Sequence, residues 1–256
     1  MKAMILAAGR GTRMMPLTKN TPKPLLQINA KPLIQHTIEA LVVAGVTELV
    51  INHAYLGEQI EACIGNGNWL GANVQYSRET TALETGGGIL KALPLLGDEP
   101  FIIVNSDIWT QYPFKQLTSL KSFRLAHLVM VDNPPQHPIG DYLLSVKSGH
   151  TTGIISRKSL TQSEKIPPQQ AQQSTDKNPT KRALTYSGIS VLNPRLFNGC
   201  ADGKFPLPRL FDKYMAEGKI YGEYYAGQWS DIGTPQRLRD IQRIVVQTNF
   251  TGNSPD

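Results

Sequence analysis

Gly9, Gly11, Arg13 and Lys23 stand in one stretch directly behind an apolar run at residues 4–7. Gly9 and Gly11 have no Cβ, so a phosphate can lie against the backbone N–H groups of their turn. Arg13 and Lys23 add fixed positive charge beside that cradle. Residues of these types can grip a polyphosphate. Two carboxylates elsewhere could complete a phosphoryl-transfer site. Asp107 ends the apolar run that starts at Phe101, and Asp231 stands in the sequence Trp-Ser-Asp-Ile-Gly-Thr at 229–234. A charged residue at the end of a core strand sits where open α/β sheets place their chemistry. Mg2+ prefers oxygen ligands, and two carboxylates plus substrate phosphates suffice to hold it. Each aspartate also has a plainer reading, as a helix cap or turn residue before Pro113 and as a turn residue before Gly233.

Two familiar phosphate loops are excluded. A Walker loop needs G-x-x-x-x-G-K-[ST], and no such run occurs. The dinucleotide fingerprint needs glycine at position 14, where Met14 stands, and an acidic residue about 20 positions on, which is absent between Asn29 and Ile38.

These residues need a scaffold that presents them together. Strands expected at 4–7, 49–51 and 101–104 alternate with helices expected at 32–44, 56–64, 87–93 and 114–121. In the first helix Leu33, Thr37, Ala40, Leu41 and Ala44 fall on one face. The alternation implies an α/β fold with a doubly wound, mostly parallel, Rossmann-like sheet. Segments 143–146, 152–155, 184–192 and 220–225 read as antiparallel hairpins forming a small second lobe. Residues 160–182 are rich in Gln, Ser, Thr, Pro and Lys, and a mobile surface loop is expected there. A final helix at 235–248 carries Leu238, Ile241, Ile244 and Val245 on an apolar face, and 249–256 reads as a frayed end.

Composition narrows the functions further. The 256 residues are 40% hydrophobic, enough for one α/β domain with a real core. The net charge is +6, but six basic and two acidic residues between 157 and 182 supply four of those charges. There is no basic stripe with interleaved aromatics, so no nucleic-acid partner is expected. No apolar run approaches a membrane span, and the N-terminus lacks a secretory signal. Cys63 and Cys200 read as free thiols in a reducing cytoplasm. His53, His127 and His137 read as structural residues.

The run Gly-Arg-Gly-Thr-Arg-Met-Met-Pro-Leu-Thr at 9–18, followed by Pro-Lys-Pro at 22–24, resembles the N-terminal signature of the sugar-1-phosphate nucleotidyltransferases. The resemblance covers nearly the whole chain outside 160–182. It implies that Ala8, Gly9, Gly11, Thr12, Arg13 and Lys23 bind a nucleotide, with Arg13 and Lys23 catalytic. It implies that Asp107 and Asp231 hold Mg2+. In Leu83-Glu-Thr-Gly-Gly-Gly88 it implies a nucleoside pocket lined by Thr85 and Gly86, with the three glycines allowing close approach of a ligand to a helix start. Ser77 falls where the family often reads the base edge. One domain over 1–256 is expected, with a nucleotide-binding half at 1–122, a sugar-binding half at 123–234, and the C-terminal helix beyond.

Stretches at 50–56, 83–88, 104–109 and 186–190 look closest to the branch of this family that joins UTP and N-acetylmuramate 1-phosphate in bacterial cell-wall recycling. On that resemblance Asn105, Gly140 and Asp141 contact the sugar. Relatives acting on glucose 1-phosphate carry a Glu-Lys pair in the sugar half, where this chain has Arg157-Lys158. An arginine suits the lactyl carboxylate of muramic acid. Two alternatives stay open: a glucose- or mannose-1-phosphate nucleotidyltransferase using dTTP, UTP or GTP, and a non-catalytic nucleotide-binding module.

Overall fold

Alternation with period two sends Ala3 and Ile5 to one face of the first strand and Met4 to the other, and both faces are buried. A strand buried on both sides must lie inside a sheet covered by helices. The computed structural model describes residues 1–120, 123–148, 150–158 and 180–251. The first half holds β1 (Ala3–Leu6), β2 (Gln27–Ile28), β3 (Lys31–Pro32), α1 (Leu33–Val43), β4 (Glu48–His53), α2 (Gly57–Ile64), β5 (Asn73–Arg78) and α3 (Glu84–Leu96). Then come β6 (Phe101–Asn105), β7 (Ile108–Thr110), α4 (Lys115–Thr118), β8 (Ala126–Val131), β9 (Tyr142–Val146), β10 (Thr152–Ser156) and β11 (Thr180–Leu192). The chain finishes with α5 (Pro208–Met215), β12 (Ile220–Tyr224), β13 (Trp229–Asp231) and α6 (Pro235–Thr251).

The main sheet has nine strands in the order β5-β4-β1-β6-β11-β8-β12-β10-β9. β5, β4, β1 and β6 run parallel, as the alternation of strands and helices requires. β11 joins antiparallel to both β6 and β8, and β9 and β10 pair antiparallel beyond it. The antiparallel strands of the second half therefore extend the central sheet. Leu6 lies beside Asn105 in the β1–β6 pairing. The glycine turn and Asp107 thus leave the sheet from the same edge.

Several local expectations change. The buried side of α1 is Leu33, Ile34, Thr37, Ile38 and Leu41, so the face centres on Ile34 and Ile38 rather than on Ala40 and Ala44. Residues 180–182 are not loop: Thr180, Lys181 and Arg182 pair with Val146, Ser145 and Leu144 of β9. The rest of the expected mobile loop, 160–179, lies outside the described residues. Helix α6 runs to Thr251, which takes 249–251 out of the frayed end, and 252–256 lie outside the description. On α6, Leu238 and Ile241 are buried while Ile244 is 39% exposed.

The glycine run needs the largest correction. Helix α3 starts at Glu84, so Gly86, Gly87 and Gly88 are helical and buried. A Cβ on Gly86 would collide with the Phe205 ring, and one on Gly87 with the Gly203 carbonyl. A Cβ on Gly88 would lie 2.6 Å from Glu79 Oε1 and 2.8 Å from Asn52 Nδ2. The Gly86 and Gly87 amides both donate to the Phe205 carbonyl, at 2.9 and 3.1 Å. The glycines let α3 lie flush against another piece of this chain.

A small third core gathers Met14, Leu26, Ile28, Leu33, Trp109, Ile232, Leu238 and Ile241. It ties the segment after the glycine turn to β7, β13 and α6. Gln242 Nε2 adds a bond to the Gln27 carbonyl at 3.0 Å.

Gly87→Ala should destabilise the protein by about 1–3 kcal/mol, because backbone faces the new methyl group. Urea unfolding measures this, and an unchanged midpoint would remove the packing role assigned to the glycine run.

Candidate active site

A cavity of about 420 Å³ opens at the edge where β1 and β6 end. Its wall includes Ala8, Gly9, Gly11, Thr12 and Arg13 from the turn, Lys23 behind it, Thr85 at the start of α3, and Asn105 and Asp107 after β6. Nine of the residues singled out in the sequence are thereby brought together. Gly11 takes φ +64°, and a Cβ there would sit 3.1 Å from Thr18 Cγ2 and 3.2 Å from Lys23 Cβ. Any other residue would be strained and would press on the lysine. Thr18 Oγ1 closes the turn by donating to the Gly11 carbonyl at 2.8 Å, and fully buried Met14 anchors it.

Lys23 is only 8% exposed, and its Nζ lies 2.7 Å from Asp107 Oδ2. Asp107 Oδ1 has no partner among the described residues. Arg13 is exposed and makes no side-chain ion pair or hydrogen bond among the described residues, so its guanidinium faces the cavity uncommitted. Asp231 reaches this place through a short ladder. β13 pairs antiparallel with β7, Asp231 opposite Ile108, and the Ile232 amide donates to the Asp107 carbonyl at 2.7 Å. The main chains of the two aspartates are therefore neighbours although 124 positions separate them in sequence. Asp231 itself does not line the cavity; Gly233 does. Its carboxylate accepts from Gln136 Nε2 at 2.9 Å and pairs with Arg237.

No group of three or more His, Cys, Asp or Glu side chains is arranged to hold a metal among the described residues. Of the two carboxylates singled out in the sequence, Asp107 lines the cavity and Asp231 lies against its wall residue Gly233. Hard oxygen donors and a free Asp107 Oδ1 fit a cation that completes its shell with water and phosphate.

Other candidates lie elsewhere. Ser77 is buried in β5 opposite Asn52 and does not line the cavity. Gly86 faces Phe205, as described above. Gly140 (φ +68°) is a turn residue whose Cβ would lie 2.7 Å from the Leu184 carbonyl oxygen. Asp141 accepts the Tyr186 amide at 2.8 Å and meets His137 Nε2 at 3.0 Å. Arg157 turns away: its side chain is 66% exposed and pairs with Asp212 of α5. Lys158 instead points to the Gly140 carbonyl, 2.8 Å away. Burial lowers the Lys158 pKa, against the opposing pull of Asp141.

Sequence reasoning missed three residues around the cavity. Asn52, at the end region of β4, accepts the Ala7 amide at 3.0 Å and donates to Glu79 at 2.7 Å. Glu79 Oε2 then accepts the Leu83 amide at 2.8 Å, so this buried pair fixes both β1 and the entry to α3. Lys204 comes from a segment remote in sequence and meets Glu84 at 3.6 Å on the cavity wall. Glu84 has φ 60°, strain of the kind that collects at functional sites. A polar residue closing an apolar strand was a usable signal for Asn52; nothing local marked Glu79 or Lys204. The three histidines read as structural meet carboxylates: His53 with Glu61, His127 with Glu223 and His137 with Asp141.

The nucleotidyl transferase family model matches residues 2–142. The chain is 40% identical over 251 residues to N-acetylmuramate alpha-1-phosphate uridylyltransferase of Neisseria meningitidis serogroup B, covering 96% of this chain and 98% of that protein. The protein so named in Caulobacter vibrioides is 32% identical over 246 residues, covering 91% and 92%. Mannose-1-phosphate guanyltransferase beta-B of Xenopus laevis is 27% identical, covering 99% of this chain and 70% of that one. Among solved structures, a UDP-glucose pyrophosphorylase complexed with UDP-glucose superposes with a TM-score of 0.72 at 20% identity, covering 96% and 98%, a likeness of fold. No described helix is long and apolar enough to cross a membrane. A glycine turn backed by Lys23, two aspartates brought together by β7 and β13, and matches over nearly the full length place this chain in the nucleotidyl transferase family.

Proposed function

We propose that the chain transfers a uridylyl group from UTP to N-acetylmuramate 1-phosphate, giving UDP-N-acetylmuramate and pyrophosphate. The observation that carries the reaction class is Asp107, bonded to Lys23 beside the glycine turn and adjoining Asp231. The choice of substrates rests on the two relatives of that name at 40% and 32% identity. The same reading puts the reaction in the cytoplasm, in recycling of cell-wall sugars.

In this reading the sugar phosphate oxygen attacks the α-phosphorus of UTP in line, and the bond to the β-phosphate oxygen breaks. The attacking oxygen is already anionic near neutral pH, so no base need remove a proton. That suits a cavity with no histidine among its described lining residues. The protein's task is to hold two polyanions together and to meet charge as it spreads. The amides around Gly9 and Gly11 take phosphate oxygens. Arg13, uncommitted and exposed, receives the departing pyrophosphate. Lys23 meets the α-phosphoryl group, with Asp107 fixing its ammonium. Lys158 rather than Arg157 serves the sugar substrate in this reading, since Asp212 pairs with the arginine while Lys158 reaches the carbonyl of Gly140, one of the residues expected on the sugar side. Asp107 and Asp231 are the residues that would hold Mg2+, which when bound supplies Lewis-acid charge at the α-phosphate.

Lys23→Ala and Arg13→Ala should each lose at least about 2.7 kcal/mol of transition-state stabilisation, roughly a hundredfold in kcat/KM. Near-wild-type turnover in the Lys23 variant would contradict its role. Lys158→Ala should raise KM for the sugar phosphate by about tenfold, as expected for a lost charged hydrogen bond, while Arg157→Ala changes it little. The reverse ranking would return the sugar contact to Arg157. A pyrophosphate-release assay should find the highest kcat/KM with UTP and N-acetylmuramate 1-phosphate among UTP, dTTP and GTP paired with N-acetylmuramate, glucose and mannose 1-phosphates. Faster turnover of mannose 1-phosphate with GTP would overturn the substrate assignment. No turnover with any pair, despite nucleotide binding, would favour a binding module.

A further inference from the structure

Arg237 has no place in the reaction described above, yet it is built into the same corner. It stands in the first turn of α6, where its backbone amide and its Nε approach Thr234 Oγ1 at 3.3 and 3.4 Å. Its Nη1 pairs with Asp231 Oδ2, and the two side chains are only 18% and 27% exposed. Gln136 takes the other oxygen, Oδ1. A Cβ on Gly233 would lie 2.6 Å from Arg237 Nη2 and 2.9 Å from Asp231 Oδ2. The ion pair therefore lies directly against a residue of the cavity wall, and glycine at 233 is what leaves room for it.

The two aspartates are unequal. Asp107 keeps Oδ1 free and gives only Oδ2 to Lys23, whereas both oxygens of Asp231 are engaged. A guanidinium and a divalent cation repel each other, and at this degree of burial solvent screens them only partly. A metal that takes Asp231 must compete with the arginine for its charge. We infer that Arg237 is a positioning residue, the resident counter-ion of Asp231, which holds that carboxylate neutralised and opposes a divalent cation until nucleotide phosphates arrive with it. This rests on the reading of Asp107 and Asp231 as the metal ligands. The phosphates bring negative charge to receive the released guanidinium, so metal and nucleotide enter together and the empty site resists a stray cation.

The test is Mn2+ affinity of the full-length, nucleotide-free protein, read from the free-ion signal in electron paramagnetic resonance. Arg237→Gln should bind Mn2+ about tenfold more tightly than wild type, the effect of removing one half-buried competing charge. Arg237→Lys, which keeps the charge, should stay within about twofold of wild type. UTP should tighten Mn2+ binding less in Arg237→Gln than in wild type. Arg237→Met, with similar bulk and no charge, gives a second neutral variant if the first fails to fold, and circular dichroism checks both. Unchanged or weaker Mn2+ binding in the neutral variants, alongside weakened binding in Asp231→Asn, overturns the counter-ion role and leaves the metal site intact. Equal tightening in Arg237→Lys and Arg237→Gln also overturns it, since charge would not be the cause. If Asp107→Asn and Asp231→Asn both bind Mn2+ as wild type does, the metal-ligand reading itself fails, and this inference fails with it.

Discussion

The site depends on a two-stranded ladder of three residue pairs. β7 and β13 place Asp231 opposite Ile108, and the Ile232 amide closes on the Asp107 carbonyl. Without that pairing the chain would have one acidic residue at a strand end and another in a distant turn. With it, the main chains of the two aspartates lie side by side. Main-chain hydrogen bonds make the pairing and use neither carboxylate; Asp107 gives one oxygen to Lys23, and Asp231 is held by Gln136 and Arg237.

The ladder is held by what packs around it. Trp109 of β7, Ile232 after β13, and Leu238 and Ile241 of α6 share a core with Met14, Leu26 and Ile28. The glycine turn, the end of the central strand and the C-terminal helix are thereby fixed to one another by apolar contact. On the other side, Tyr112 follows β7 and hydrogen-bonds Glu223 of β12, which also meets His127. Burial pushes the Glu223 carboxyl up, but hydrogen bonds from His127 and Tyr112 outweigh this and hold it below its ordinary value. Charge follows the same economy. Each aspartate has its own cation, Lys23 for Asp107 and Arg237 for Asp231, which leaves Arg13 free to face an anion. Burying two like charges side by side without such partners would be unfavourable.

The parallel half of the fold was legible because its strands are continuous apolar runs and its helices have apolar faces of clear period. The phosphate turn was legible because glycine, arginine and lysine spacing there has few other uses. What stayed hidden was non-local. A run of three glycines looks the same whether a ligand or the chain's own residues 203–205 press against it. Arg157 could be placed beside a sugar only because nothing local announced that Asp212 would claim it. The first residues of β11 read as loop because Thr180, Lys181 and Arg182 are polar, and their partners in β9 lie more than 30 positions away. The contribution of Asn52 and Glu79 likewise exists only once β4, β1 and the α3 entry are assembled.

The most direct measurement is anomalous diffraction from crystals holding Mn2+ and UTP. A single manganese within about 2.5 Å of carboxylate oxygens from both Asp107 and Asp231, and touching the nucleotide phosphates, is the predicted result. A metal held by the phosphates alone, with Asp107 still bonded to Lys23 and Asp231 still bonded to Arg237, would contradict the account.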